Sequence, residues 1–313
     1  MRLIKYSLLS LALVNLFHVQ AQEDLMSLLE ESTTTSTSYE VTSTWKGMRL
    51  ISGHTTRMLN PGIMDVVISH RFGRINDGVE EFYGLDNSQI RLGLEFGITK
   101  WMNFGFGRSS HDKVVDGFFK FKILTQKEDN SMPITLNGFT SLAIKTGDGA
   151  FSNPEFDNQF SQRLYYSYQL LIARKFNSRL SLQVMPSLIH RNTVRTVEEP
   201  NDVIAIGVGG RYKVTNRMSI NAEYYPQLNS VETYTNALSF GVDIETGGHI
   251  FQIHVSNSRA MIESGFIAET TGLWSEGDLH IGFNISRSFD LKAGKEKRQK
   301  KKLEAAQKKV SQS

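Results

Sequence analysis

Few residues of this chain have the type and spacing to do bond chemistry, and the clearest group is His254-Val255-Ser256-Asn257. In an extended strand, side chains two positions apart lie on one face. His254 would then stand beside Ser256 as a general base, and the activated hydroxyl would attack an ester, with Asn257 as the neighbouring polar group. Against this, Phe251, Ile253 and Val255 form the alternate, apolar face, so the reading with greater weight is a polar pair on the wet side of a strand. The other histidines, including His70, His249 and His280, show no metal-ligand spacing, and neither a metal nor a cofactor is expected. Gly207 to Thr215, GVGGRYKVT, lacks the Lys-Ser/Thr ending and following helix of a phosphate loop, and its glycines suit the interior of a strand. Acidic residues cluster at Asp77, Glu80, Glu81 and Asp86, at Asp148, Glu155 and Asp157, and at Glu198, Glu199 and Asp202. Solvation is the simpler account of these clusters, and divalent cations bridging anionic lipid are the alternative.

The elements that carry these residues follow from a period of two. Ile90, Leu92, Leu94, Phe96 and Ile98 alternate with Arg91, Gly93, Glu95 and Gly97, and the same alternation recurs in about twelve segments. These lie near 62–73, 88–98, 101–109, 113–124, 133–145, 161–175, 179–190, 203–214, 217–226, 236–246, 249–256 and 279–291. No helical pattern separates them, so the chain is all-β and meanders antiparallel. Their length suits a tilted membrane crossing of about 9 to 11 residues rather than a soluble strand of about 5 or 6. Arg91, Glu95, Asp116, Lys120, Lys122, Lys145, Arg211, Glu223, Asp243 and Glu245 fall on one side, as the lining of a water-facing lumen would. The pattern predicts a transmembrane, antiparallel, up-and-down β-barrel of about twelve strands. Short connections alternate with long ones, which puts both barrel ends on the short-turn, periplasmic side. Residues 39–53 also look extended. They are placed outside the wall, as a periplasmic extension or a plug in the lumen, with fourteen strands as the alternative if they form a hairpin.

Residues 1–21 have the features of a secretory signal: Arg2 and Lys5, an apolar run from Leu8 to Phe17, and Val19-Gln20-Ala21 before the cut. Residues 22–61 are read as a leader, extended segment or lumen plug, 62–291 as the barrel, and 292–313 as a basic, disordered periplasmic tail. That tail holds nine Lys/Arg and two Glu, so although the whole chain is +3, the rest is net acidic, which excludes nucleic acid as an obvious partner of the body. The tail itself suits anionic lipid or cell wall. With no cysteine there is neither a disulfide framework nor a lipidated N-terminus. The expected location is the outer membrane of a Gram-negative cell, with its lipid and the barrel-assembly machinery as partners. Trp101, Trp274, Tyr165, Tyr224 and Tyr225 lie near strand ends and are candidates for interfacial aromatic girdles.

The runs GIMDVVISHRFGRIN at 62–76, GLDNSQIRLGLEFGIT at 84–99, QLLIARKF at 169–176 and DIETGGHIFQIHVSNS at 243–258 resemble a family of bacterial membrane-bound β-barrel domains of unknown function. The resemblance covers nearly the whole mature chain, which would begin at Gln22, up to Leu291. It implies the outer-membrane barrel and brings no activity or catalytic residue. The His-x-Ser-Asn string, separately, is similar to the motif of outer-membrane phospholipases and lipid A deacylases. The leading functional reading is a structural or small-solute pore barrel, and the alternative is a lipid-directed hydrolase using His254 and Ser256.

Overall fold

A computed structural model describes residues 38–147 and 159–294. The signal segment, the leader up to residue 37, Asp148, Glu155, Asp157 and the tail from 295 lie outside the described residues. Among the described residues twelve strands follow one another: β1 Ile63–Arg74, β2 Gln89–Gly97, β3 Met102–Ser109, β4 Val114–Leu124, β5 Thr135–Lys145 and β6 Leu164–Lys175 form the first half. β7 Leu180–Arg191, β8 Asp202–Lys213, β9 Met218–Tyr225, β10 Ala237–Thr246, β11 His249–Ser256 and β12 His280–Asp290 form the second. Each strand pairs antiparallel with its sequence neighbours, and β1 closes the ring on β12 through Ile68 opposite Ile285 and Ser69 opposite Asn284. Every strand therefore has two partners and no edge is left open.

The alternation in sequence becomes the two faces of the wall. In β2, Arg91, Gly93, Glu95 and Gly97 are buried inside, whereas Ile90, Leu92, Leu94 and Phe96 face out. Outward aromatic rings form a ladder across β2, β3 and β4, with Phe104 between Phe106 and Phe119 at 5.9 and 5.1 Å. At one end the strands are joined by short turns, apart from the ten residues between β4 and β5; the shortest is Gly247-Gly248 between β10 and β11, where both glycines have positive φ. At the other end the connections are long, with the exception of the four residues between β3 and β4. Both ends of the barrel segment open at the short-turn end. Among the described residues no helix is long and apolar enough to cross a membrane, which says nothing against crossing by strands.

Two segments that are not part of the wall fill the interior. Residues 41–61 precede β1, and their Trp45, Met48, Leu50, Ile51 and Leu59 are buried. They make no thirteenth strand of the wall: the only pairing within the segment is a local bridge of Arg49 with His54. The second segment is the long connection 257–279, which contains helix α1, Glu263–Ala268, with all six residues buried. At the join to β1 the chain crosses the wall so closely that a Cβ on Gly97 would lie 2.1 Å from the Asn60 carbonyl oxygen. Only glycine fits there.

Candidate functional site

Seven strands converge on the tip of residues 41–61. The tip is a tight reversal in which the Leu50 N–H donates to the Gly53 carbonyl (2.8 Å) and the Thr55 N–H to the Met48 carbonyl (2.9 Å). Its outward-turned backbone groups need partners, because unpaired ones would each cost about 1 to 3 kcal/mol inside the lumen. Glu223 of β9 supplies one carboxylate that accepts from three successive N–H groups, those of Ile51 (3.3 Å), Ser52 (2.7 Å) and Gly53 (3.2 Å). Such a run of N–H groups is a concave nest for an anion. The carbonyls are met by amide and ammonium donors: Lys120 of β4 on Thr55 (3.0 Å), Asn137 of β5 on Thr56 (2.9 Å), and Gln183 of β7 on His54 (2.8 Å). Gln252 of β11 donates to Leu50 and Asn284 of β12 to Ile51 (2.9 Å), while Arg71 of β1 donates to Ser52 Oγ (3.0 Å). Partners on all sides mean that the tip occupies the axis of the barrel.

Around this tip the charges form a buried network. Arg49 Nη1 lies 3.4 Å from Glu263 of α1 and Arg49 Nε 3.8 Å from Glu95. Arg91 grips Asp116 with two nitrogens, at 3.0 and 2.5 Å. The His54 ring is held between Phe118 (4.4 Å) and Phe139 (4.5 Å), with Nε2 3.8 Å from Glu263. Burial, with the charges of Arg49, Lys120 and Arg91 nearby, holds His54 well below the ordinary imidazole value, so it is neutral. Burial raises Glu263 above the usual carboxylate range, opposed by Arg49.

The ten residues expected to line the lumen fall in two groups. Arg91, Glu95, Asp116, Lys120, Arg211, Glu223 and Asp243 are buried inside, and Lys122, Lys145 and Glu245 are half-buried on strands β4, β5 and β10. Lys120 and Glu223 bind the tip directly, Arg211 donates to the Thr44 carbonyl (3.4 Å), and Glu245 pairs with Lys46. The sequence signal was parity alone, which could not reveal that the lining would be satisfied by the chain itself.

His254, Ser256 and Asn257 are all buried inside, away from the outward face. Ser256 Oγ accepts from Ser239 Oγ (2.9 Å) and from the Ser258 N–H (3.1 Å), whereas His254 Nε2 lies 3.2 Å from an Arg71 guanidinium nitrogen and its Nδ1 has no partner. Asn257 bonds the Leu238 N–H (2.8 Å) and the carbonyls of Asn236 and Gly272 (3.0 and 2.8 Å), tying down the start of the long loop. Thus the three residues share one side, and no hydrogen bond joins the imidazole to the hydroxyl. Two of the expected girdle aromatics are corrected: Tyr165 and Tyr225 point inward, and Tyr225 packs edge-on against Phe266 of α1 at 4.9 Å. Trp101 and Tyr224 face out. Of the acids expected to be solvated, Glu199 is instead buried between Arg191 (3.2 Å) and the Tyr234 hydroxyl (3.0 Å).

At the long-loop end the lumen widens into two adjoining cavities, of about 360 and 130 Å³, which share Asp112, Arg195 and Glu269 on their walls. Reading the sequence in strands missed this mouth, because its walls come from five separate connections. A signal was present in the loop 257–279, which carries Met261, Ile262, Phe266 and Ile267 where a solvated loop would be polar.

A closed twelve-strand ring with an apolar outside and a charged inside agrees with the sequence match. Residues 45–289 match the family described as a membrane bound beta barrel domain (DUF5777). The chain belongs to that family. Among solved structures the barrel is similar to the NanC porin, at 9% identity over 72% of this chain and 98% of that one, with a TM-score of 0.46. It is also similar to the KdgM porin, at 8% identity over 72% and 99% with a TM-score of 0.44. Outer membrane phospholipase A from Escherichia coli matches at 11% identity over 73% and 90%, with a TM-score of 0.42. Likeness at this level conveys neither substrate nor activity. No curated protein matches the chain. As a member of the family, this protein is a membrane-bound β-barrel, and its outward Leu, Ile and Phe side chains are the lipid-facing surface.

Proposed function

We propose that this protein is an outer-membrane barrel of the transport type, shut at rest by residues 41–61. The observation that carries the reading is the chemistry of the seal. Backbone groups of the tip are held by the carboxylate, amide and ammonium groups of β4, β5, β7, β9, β11 and β12, with Arg71 of β1 on Ser52 Oγ. A permanently closed scaffold would be better served by apolar packing, since buried ion pairs are often neutral or worse than hydrophobic replacements. A polar seal differs in that water can take over its hydrogen bonds, each worth only about 0.5 to 1.5 kcal/mol net. The lining that binds the segment would then serve as the wall of a mixed-charge path for small solutes.

The long-loop end is assigned to the cell exterior, because bacterial barrels carry short periplasmic turns and long outer loops. Insertion would use the barrel-assembly machinery, and the surrounding partner is outer-membrane lipid. Conductance in a planar bilayer tests the gate: the mature chain is expected to be closed, with brief openings, and a variant lacking 45–57 to conduct steadily. Equal conductance of the two would defeat the reading. Orientation is tested by cysteines on this cysteine-free chain. Thr196→Cys in the exposed 192–201 connection is expected to react with an impermeant thiol reagent on intact cells, and Ser178→Cys in the β6–β7 turn only after the outer membrane is broken.

A further inference from the structure

The two cavities at the long-loop end have an uneven charge balance. Among the described residues four carboxylates line them, and each has a partner. Asp112 and Glu269 lie 3.5 and 2.8 Å from Lys145 Nζ, and Glu199 is held by Arg191 and Tyr234. Asp77 accepts the Arg74 N–H (3.2 Å), and the Arg74 guanidinium is occupied by Asp278 (3.3 Å). Two guanidiniums on the same walls form no close ion pair among the described residues, although Arg195 is near enough to Asp112 to help hold its carboxyl below the usual range. Arg195 lines both cavities and is exposed, and Arg259 lines the larger one. Arg259 donates to Asn87 Oδ1 (2.7 Å), but its Nε is buried without any partner. A buried charged donor left unmet is costly, and the group that would satisfy it is an acceptor carrying negative charge.

The rest of the larger cavity's wall is mainly polar, whereas the smaller one adds Val194 and Tyr165. His111 is kept below the ordinary imidazole value chiefly by burial, so it adds no competing positive charge near pH 7, and Thr271 and Asn257 stand on the same wall. A cavity of about 360 Å³ is within the size range of small-molecule sites. Guanidinium groups suit planar carboxylate or tetrahedral phosphate because their N–H donors lie in a fixed fork.

We propose that this mouth binds a monosaccharide-sized solute carrying one oxyanion, a carboxylate or a phosphate, which Arg195 and Arg259 hold. The inference stands on the cavity and its charges and does not depend on whether residues 41–61 open.

The test is calorimetric titration of the detergent-solubilised mature chain with glucose 6-phosphate, with glucuronate, and with glucose as the neutral control. Saturable binding of at least one anion and none of glucose is expected. Response to glucose 6-phosphate alone identifies phosphate as the recognised group, and response to glucuronate alone identifies carboxylate. Arg259→Gln is expected to weaken the binding by about tenfold or more, and Arg195→Gln by less, with both variants still migrating as folded barrels before boiling. No saturable heat from either anion, glucose binding as tightly as they do, or an unchanged affinity in the folded double variant would overturn the proposal. The readout is binding and not current, so its failure and that of the gate are separable.

Discussion

Two segments enter the barrel, and they are held by different forces. Helix α1 from the 257–279 connection is an apolar insert: Phe266, Ile267 and Ala268 are buried in one cluster with Leu171, Met185, Ile189, Ala205 and Tyr225 of the wall. Residues 41–61 also bury apolar side chains, but their tip is surrounded by Glu223, Lys120, Gln183, Asn137 and Asn284, which bond its backbone. Burial of hydrocarbon is non-directional and has no substitute in water. Hydrogen bonds are directional and have one. Helix α1 is therefore a ledge fixed at the long-loop end, and on the proposed reading residues 41–61 are an exchangeable plug reaching in from the other end, with Arg49 and His54 both beside Glu263 where the two meet.

The largest expected effect is on the ledge. Phe266→Ala removes a ring that is 1% exposed and packed against Tyr225, and it is expected to cost about 3 to 5 kcal/mol. Urea unfolding followed by the gel shift on boiling measures it, and a loss below about 1 kcal/mol would mean that α1 is not anchored by packing. Next is the wall itself. Leu94→Arg, on the outward face opposite Val66 and Phe106, is expected to cost about 2 to 4 kcal/mol if it lies near the bilayer midplane. Stability unchanged by that substitution would place the lipid face wrongly.

Glu223→Ala is expected to leave the barrel's unfolding nearly unchanged while raising bilayer conductance, because three N–H groups lose one shared acceptor and water can replace it only when the tip moves. An equal fall in barrel stability with no current would make the segment a structural core rather than a plug. The smallest effect is on pH dependence. His54 has a depressed pKa in its slot, so its contribution to holding the segment is complete above the released-state value of about 6.5 and is lost as pH falls from there toward the folded value. Glu263, raised by burial, acts in the opposite sense: its contribution is complete below the ordinary carboxylate value of 4.5 and is lost as pH rises through its folded value. Channel opening between pH 7.5 and 5 is expected to increase with acid, and His54→Leu to abolish or reverse that dependence because Glu263 then acts without it. An increase that persists in His54→Leu would assign the response to another group.

Legibility differed between the wall and its contents for the same physical reason. A strand with lipid on one side and water or polar groups on the other must alternate, so Ile90 to Ile98 shows its two faces in the sequence, and the observed strand bounds fall within a few residues of those the alternation predicts. The inward side of Arg91, Glu95 and Glu223 follows from that local rule, and the family shows itself in particular runs such as GIMDVVISHRFGRIN at 62–76. The interior follows no local rule. Trp45 to Thr56 has no period, and the loop helix shows only a few misplaced apolar residues. Their positions depend on which side chains seven distant strands project to one point on the axis, as when Glu223 meets Ile51, Ser52 and Gly53 across about 170 residues of chain. The same holds for Tyr225, whose place at a strand end suggested an interface and whose contact with Phe266 only the tertiary structure decided. The sequence alone determined the barrel, because its solvent imposes a repeating constraint on every strand. What fills the barrel was decided by ring closure, which brings groups far apart in the chain within hydrogen-bonding distance.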